Sequence, residues 1–408
     1  MSPALLAVLT FAVGLIVLPL FAAQPLVGLI GPSLGMPIAL AGLAPTLTLL
    51  GYAVGLVAFV PLVDLMENRR LIIATLALDV VALACAAMAP TPSLFLLSAF
   101  AVGVATSSIQ MLIPLAAAIT PEHLRGRAIG TAMSGLMVGI LLSRPIASLV
   151  TEHFGWRLSY AVDAAAMAGL ALMLLAILPR HRPPATVGYG ALVVSLWTLL
   201  GQEPVLRRRA AYQALCMAAF GSFWTAIALR LAASPFHLDQ SGIALFALAG
   251  AGGAVVAPIA GRAGDRGLTV LATRIAHATT VGALVLSGVA GAGWFGFEPA
   301  RHHGLALALL CLAAFVLDIG VIGDQTLGRR AINMLHPEAR GRINGLFTGI
   351  FFVGSATGSA LSGFAWATSG WSMVCLCGLV FAGAALLLGL RDRRASTKKS
   401  LLLAETNC

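Results

Sequence analysis

The stretch PEHLRGRAIGTAMSGLMVGILLSRPIASLVTEHFGW, residues 121–156, returns late in the chain as PEARGRINGLFTGIFFVGSATGSALSGFAWATSGW, residues 337–371. With one gap near the start, Arg127 pairs with Arg342, Gly130 with Gly345, Gly139 with Gly354 and Trp156 with Trp371. Each copy is a basic turn followed by an apolar run, so the chain reads as two equivalent halves. Glycines recur at intervals of four, at Gly126 and Gly130, Gly135 and Gly139, Gly341, Gly345 and Gly349, and Gly354 and Gly358. That spacing lets helix backbones approach closely in a bilayer. Packing is the plain reading of each pair, and the expected contact lies between halves that rock.

The texture of the repeat extends over all 408 residues, of which 59% are hydrophobic and 10% charged. Soluble domains carry about a quarter charged residues, so this is a membrane chain. A hydrocarbon core of about 30 Å takes about 20 apolar residues as helix. Cutting at charges, Pro and Gly predicts spans at 4–28, 40–62, 70–89, 93–118, 127–150, 158–179, 210–233, 241–261, 269–291, 303–327, 342–364 and 371–390. The fold class is all-α integral membrane, twelve transmembrane helices in two pseudo-symmetric six-helix halves. Residues 1–182 form the first half, 183–209 a linker, 210–390 the second half and 391–408 a basic tail.

The net charge of +10 is spread in short basic clusters between spans, which argues against a nucleic-acid surface. With the N-terminus inside, 21 of the 25 Lys and Arg residues fall on the cytoplasmic side, the side such residues favour. Both termini are therefore expected in the cytoplasm. The N-terminal run lacks the basic region of a cleaved signal and reads as the first span. Residues 187–203, VGYGALVVSLWTLLGQE, lie between RHR and RRR, so both ends sit on one side. Ser195, Thr198 and Gln202 make a polar stripe, and a helix lying in the interface with Trp197 as anchor is predicted. Cys85, Cys216, Cys311, Cys375 and Cys377 lie in apolar runs and Cys408 ends the chain, a pattern of neither disulfides nor zinc. No cofactor or metal is expected. Without a nucleotide loop or a nucleophile constellation, an enzyme or ATP-driven pump is not indicated.

The chain resembles the major facilitator superfamily of secondary transporters over nearly its whole length. The loop VPLVDLMENRRL (60–71) is similar to the family motif G-x-L-x-D-R-x-G-R-R through Leu62, Asp64 and Arg69, with Arg70 extending the basic end. Val60, Leu65, Glu67 and Asn68 depart from it. GRAGDRG (261–267) resembles the second-half counterpart through Gly261, Asp265 and Arg266. The resemblance implies that Asp64, Arg69, Arg70, Asp265 and Arg266 form a conformational latch, with Asp64 reaching span 11. FAAQPL in span 1 and LGYAVGLVAFVPLVD in span 2 look like the bacterial drug and sugar efflux branches. Gly135 and Gly139 fit the antiporter motif of span 5, but Ile140, Ser143 and Arg144 replace its Pro and closing Gly pair. The resemblance further implies alternating access in a bacterial inner membrane by a monomer, with spans 1, 4, 7 and 10 around a cavity and 2, 5, 8 and 11 between halves. The expected partners are lipid, protons and a small organic solute.

Asp79, Arg144, Asp163, Arg230 and Asp318 fall inside predicted spans. Each costs about 2.5–3.5 kcal/mol at a helix centre on insertion scales, so a partner or a wet cavity is expected. Arg144 and Asp163 match in depth on adjacent spans, and a salt bridge between them is one reading. In the other, Arg144 answers to Asp318 and the solute, and Arg144, Asp163 and Asp318 form the proton-coupling group. Asp318, mid-span on a cavity helix by resemblance, is the leading coupling residue, since a carboxyl in an apolar surround can hold a proton at neutral pH. Arg230 either snorkels outward or meets an anionic group. Asp79 is read as a helix-to-helix hydrogen bonder, Asp324 as an inner relay or a water-facing group, and His277 as packing. Gln24, Gln110, Phe223, Trp224, Arg230 and Asp318 are the substrate-binding candidates, with Tyr52 weaker. Proton-coupled export is the expected function; a proton-coupled importer and an uncoupled sensor or facilitator are the alternatives.

Overall fold

The computed structural model describes residues 3–182, 188–335 and 339–405, with side chains described as far as residue 391. Residues 183–187 of the expected linker and the side chains of the expected basic tail beyond 391 lie outside this. Among the described residues, eleven helices are long and apolar enough to cross a membrane. They are span 1 (Pro3–Ser33), span 2 (Ile38–Asp64), span 3 (Asn68–Met88), span 4 (Pro92–Ala118), span 5 (Glu122–Phe154), span 6 (Trp156–Ile177), span 7 (Pro204–Ala232), span 8 (Gln240–Asp265), span 9 (Thr269–Ala292), span 10 (His303–Asn333) and Arg340–Arg391. The last breaks at Ser369 and Gly370, where the backbone leaves helical angles, so it supplies spans 11 and 12. The helix Tyr189–Gln202 is too short to cross.

The duplication is visible in the backbone. Gly155, with φ of 80°, separates span 5 from span 6, and Gly370, with φ of 62°, separates span 11 from span 12. These glycines occupy equivalent positions in the repeat, and each uses the left-handed freedom that other residues lack. The Trp after each anchors the new helix by its indole: Trp156 Nε1 donates to Ser33 Oγ and Trp371 Nε1 to the Ser287 carbonyl, both at 3.0 Å. Other ends follow local chemistry. Pro92 opens span 4 behind Thr91, whose side chain accepts from Leu94 N, and Asp239 caps span 8 by accepting from Gly242 N at 2.7 Å.

The spaced glycines that approach another backbone most closely, Gly135, Gly139, Gly354 and Gly358, do so within halves, and Gly349 alone of the set faces the other half, at Ala53. Gly139 lies against the backbone of Gly14 in span 1, and its duplicate Gly354 against Ala214 in span 7, so closely that a Cβ at either would collide. The halves meet at the end away from the basic loops. There Thr46 Oγ1 donates to the Ala356 carbonyl at 3.3 Å, and Gln240 N to Glu152 Oε2 at 2.8 Å. Val27 and Ala41 from the first half pack with Leu229 and Trp366 from the second. This apolar plug closes that end, while the basic end is split by a cavity.

Candidate functional site

The cavity between the halves has a volume of about 420 Å³. Its walls come from spans 1, 2, 4, 5, 8, 10 and 11, among them Phe21, Tyr52, Gln110, Met137, Arg329 and Phe352. Toward the plug it shares Phe21, Met137, Ile140, Phe351 and Phe352 with a recess of about 90 Å³ that reaches Arg144 and Asp318. Span 7 enters only there, through Met217 and Phe220. A larger groove of about 610 Å³ runs along the outer face of spans 1 and 5, and among the described residues no charged side chain lines it. It faces the lipid side of the bundle, so the chemistry belongs to the interior.

Arg144 answers the question of how a guanidinium survives mid-membrane. It is 3% exposed, and its Nε donates to Gln24 Oε1 at 2.8 Å. Its Cζ stands 4.3 Å from the centre of the Trp224 ring, 5.1 Å from Phe21 and 5.5 Å from Phe220. Aromatic faces attract a desolvated cation, and here they surround it with rings from both halves. The same Trp224 donates through Nε1 to Asp318 Oδ1 at 3.1 Å. One indole therefore joins a base of the first half to an acid of the second. The junction depends on Gly250, in the 3-10 turn Leu248–Ala251 that interrupts span 8. A Cβ there would stand 3.2 Å from Trp224 and 3.3 Å from Asp318 Oδ2.

The remaining sequence candidates scatter. No ion pair joins Asp163 to Arg144 among the described residues, so the salt-bridge reading is not met in this conformation: Arg144 points toward spans 1 and 7. Asp163 instead lies within electrostatic reach of Asp79, on the neighbouring faces of spans 6 and 3. Neither Asp79 oxygen has a hydrogen-bond partner, so the hydrogen bond expected of it is not made. Arg230 sits in the last turn of span 7, bonds the Ser234 carbonyl and covers Phe236 at 4.9 Å. It turns away from the cavity. Phe223 packs edge-on against Trp224 and Trp371 and lines neither cavity space. Gln110 does line the cavity, donating to Tyr52 Oη at 3.2 Å.

The motif residues are also placed. Asp64 is exposed at the end of span 2 with Arg342 in electrostatic reach, but Arg342 Nη1 donates at 2.8 Å to Ser195 Oγ of the helix Tyr189–Gln202. Arg69 bonds the Leu175 carbonyl, and Arg70 pairs with Glu67 at 3.0 Å. Asp265 pairs with Arg330 of its own half at 2.9 Å, and Arg266 is exposed beside it. No ion pair crosses between the halves at the basic end among the described residues.

Two features escaped the sequence reading. Arg329 was part of a basic cluster there, yet it lines the cavity and makes no hydrogen bond or ion pair among the described residues. The signal was present: residues 318, 322, 325 and 329 share one helix face. Asp324 faces the opposite way and is 1% exposed, so it does not face water at the mouth. Its Oδ1 stands 3.3 Å from His277 Nε2 and 3.9 Å from Arg209 Nη1, and Arg209 also donates to Thr273 Oγ1 at 2.8 Å. His277 is thus part of a buried polar cluster of spans 7, 9 and 10. Cys216 joins His277 and Asp324 with ligand atoms within 4.8 Å, but Arg209 already supplies the positive charge a metal would bring.

The sequence model described as Major Facilitator Superfamily matches residues 7–300. Uncharacterized transporter YgaY of Escherichia coli O157:H7 is 36% identical over 391 residues, 96% of either chain. A Streptomyces coelicolor protein named as a transporter is 30% identical over 375 residues, 91% of this chain and 82% of that one. The crystal structure of a bacterial homolog of the human lysosomal transporter Spinster, inward-facing and occupied, superposes with a TM-score of 0.72 at 15% identity, over 97% of this chain and 98% of that one. That likeness is one of fold.

Proposed function

This chain belongs to the Major Facilitator Superfamily and is a multi-pass membrane transporter, and we propose that it moves a small organic solute by proton-coupled alternating access, with Asp318 carrying the proton. One observation supports this above the rest: Arg144 of the first half and Asp318 of the second face one another through the single ring of Trp224. Rocking the halves changes the distance between guanidinium and carboxyl. A proton on Asp318 and the position of the halves are then linked, because an occupant shifts an equilibrium by its difference in affinity for the two states. The positive-inside bias supports a reading in which the basic end, and the open cavity, face the cytoplasm from a bacterial inner membrane. A monomer suffices, since both halves lie in one chain.

The sequence favours export, in which solute and incoming proton exclude one another at Asp318. A second reading draws on the cavity charge. Arg144 and Arg329 outnumber Asp318, so a solute attracted to the bases leaves the carboxyl to the proton, and the two travel together.

Proteoliposomes with a pH gradient imposed in either direction test the coupling. Gradient-driven accumulation that D318N abolishes, while solute counterflow without a gradient persists, is the expected outcome. Indifference of the wild type to either gradient overturns it. The direction that drives accumulation separates exchange from cotransport.

A further inference from the structure

We propose that the solute is an organic anion, an apolar or aromatic body carrying one carboxylate or similar oxyanion. This rests on the transport reading above and names the substrate class of the same cavity.

The cavity and its recess carry more positive than negative charge. Arg144 is buried, and its Nη2 has no hydrogen-bond partner. Its Nε donates to Gln24 Oε1, and Gln24, which lines neither the cavity nor the recess, holds the guanidinium from behind. Arg329, on the same face of span 10 as Asp318, has the Tyr52 hydroxyl as its electrostatic neighbour and no carboxylate, and its Nε has no hydrogen-bond partner. Arg330 also reaches the lining, but Asp265 neutralises it. Among the described residues, the sole carboxylate of the cavity and recess is Asp318, and its Oδ1 already accepts from Trp224.

Unpaired buried donors cost free energy that an incoming acceptor recovers. A guanidinium is shaped to take an oxyanion through two parallel hydrogen bonds. A cationic solute would instead meet two guanidinium groups answered by a single carboxylate, in a low-dielectric space where like charges repel strongly. Between these groups the walls are Phe21, Met137, Phe351 and Phe352, which suit a ring or a short hydrocarbon chain. An anion held beside Asp318 also favours the neutral carboxyl, so anion and proton bind together.

The test compares matched pairs on the purified full-length chain: benzoate, 1-naphthoate and 4-phenylbutyrate against benzylamine, 1-naphthylmethylamine and 4-phenylbutylamine. Thermal stabilisation and calorimetric binding by at least one carboxylate, and by none of the amines, is expected. R329Q weakens that binding by about tenfold, R329K retains it in part, and R144Q removes it if folded. Binding of none of the carboxylates, or equal binding of an amine, overturns the anion class. If a carboxylate binds but proteoliposomes never move it, the transport reading fails while the anion site stands. If amines are moved along a pH gradient, the transport reading stands and the anion class falls.

Discussion

The guanidinium of Arg144 lies 4.3 Å from the centre of the Trp224 ring, and it does so from the other half of the molecule. In the proposed mechanism this is the contact that ties the charge on Asp318 to the movement of the halves. Without Trp224 the two charges would face each other across a gap that solute or water could fill.

Replacing Trp224 by Phe keeps a face for Arg144 and removes the indole N–H that Asp318 accepts. One net hydrogen bond is worth about 1 kcal/mol, so W224F is expected to fold with a small loss of thermal stability. Coupling should suffer more: gradient-driven accumulation is expected to fall several-fold relative to counterflow without a gradient. Equal decline in both assays would show that Trp224 only packs.

The cluster of Arg209, His277 and Asp324 lies away from the cavity and is expected to serve stability. Removing one member of a buried pair costs about 3–5 kcal/mol, because the other charge is stranded. D324N should therefore lower the unfolding temperature and yield, and R209M/D324L should recover much of the loss. Normal stability of D324N with lost proton coupling would assign the cluster to transport instead.

Among the described residues Asp64 carries no ion pair in this conformation, since Arg342 is held by Ser195. D64N is expected to leave thermal stability unchanged and to reduce the population closed at the basic end. Alkylation of a cysteine placed at Ser134, which lines the cavity, reports that population. Faster labelling in D64N supports the latch; an unchanged rate contradicts it.

The architecture was legible because lipid leaves a chain few options: each apolar run of bilayer length must be a helix, and the duplication made spans 5 and 11 equivalent. The linker helix and the breaks at Gly155 and Gly370 obey the same logic. The partners of the buried charges were not legible. Depth along a span can be counted from sequence, and by depth Arg144 and Asp163 match. Rotation about the helix axis decides which neighbours meet, and it turns Arg144 toward Gln24 and Trp224 and Asp163 toward Asp79. The glycines of span 5 misled for a related reason, because spacing shows that a backbone comes close without showing which one. Arg329 was hidden by its place in a basic run, although its helix face was countable.

The central claim, that the proton on Asp318 sets the position of the halves, can be measured without knowing the solute. Phe154 at the end of span 5 is 67% exposed and Leu245 near the start of span 8 is 72% exposed, at the end where Glu152 holds Gln240. Spin labels at these two positions, in a chain freed of native cysteines, report the separation of the halves by electron–electron double resonance. The distance distribution is expected to shift as pH is changed, to shift equally in D163N, and to stay fixed in D318N. A pH response that survives in D318N, or disappears in D163N, would contradict the assignment of the proton to Asp318.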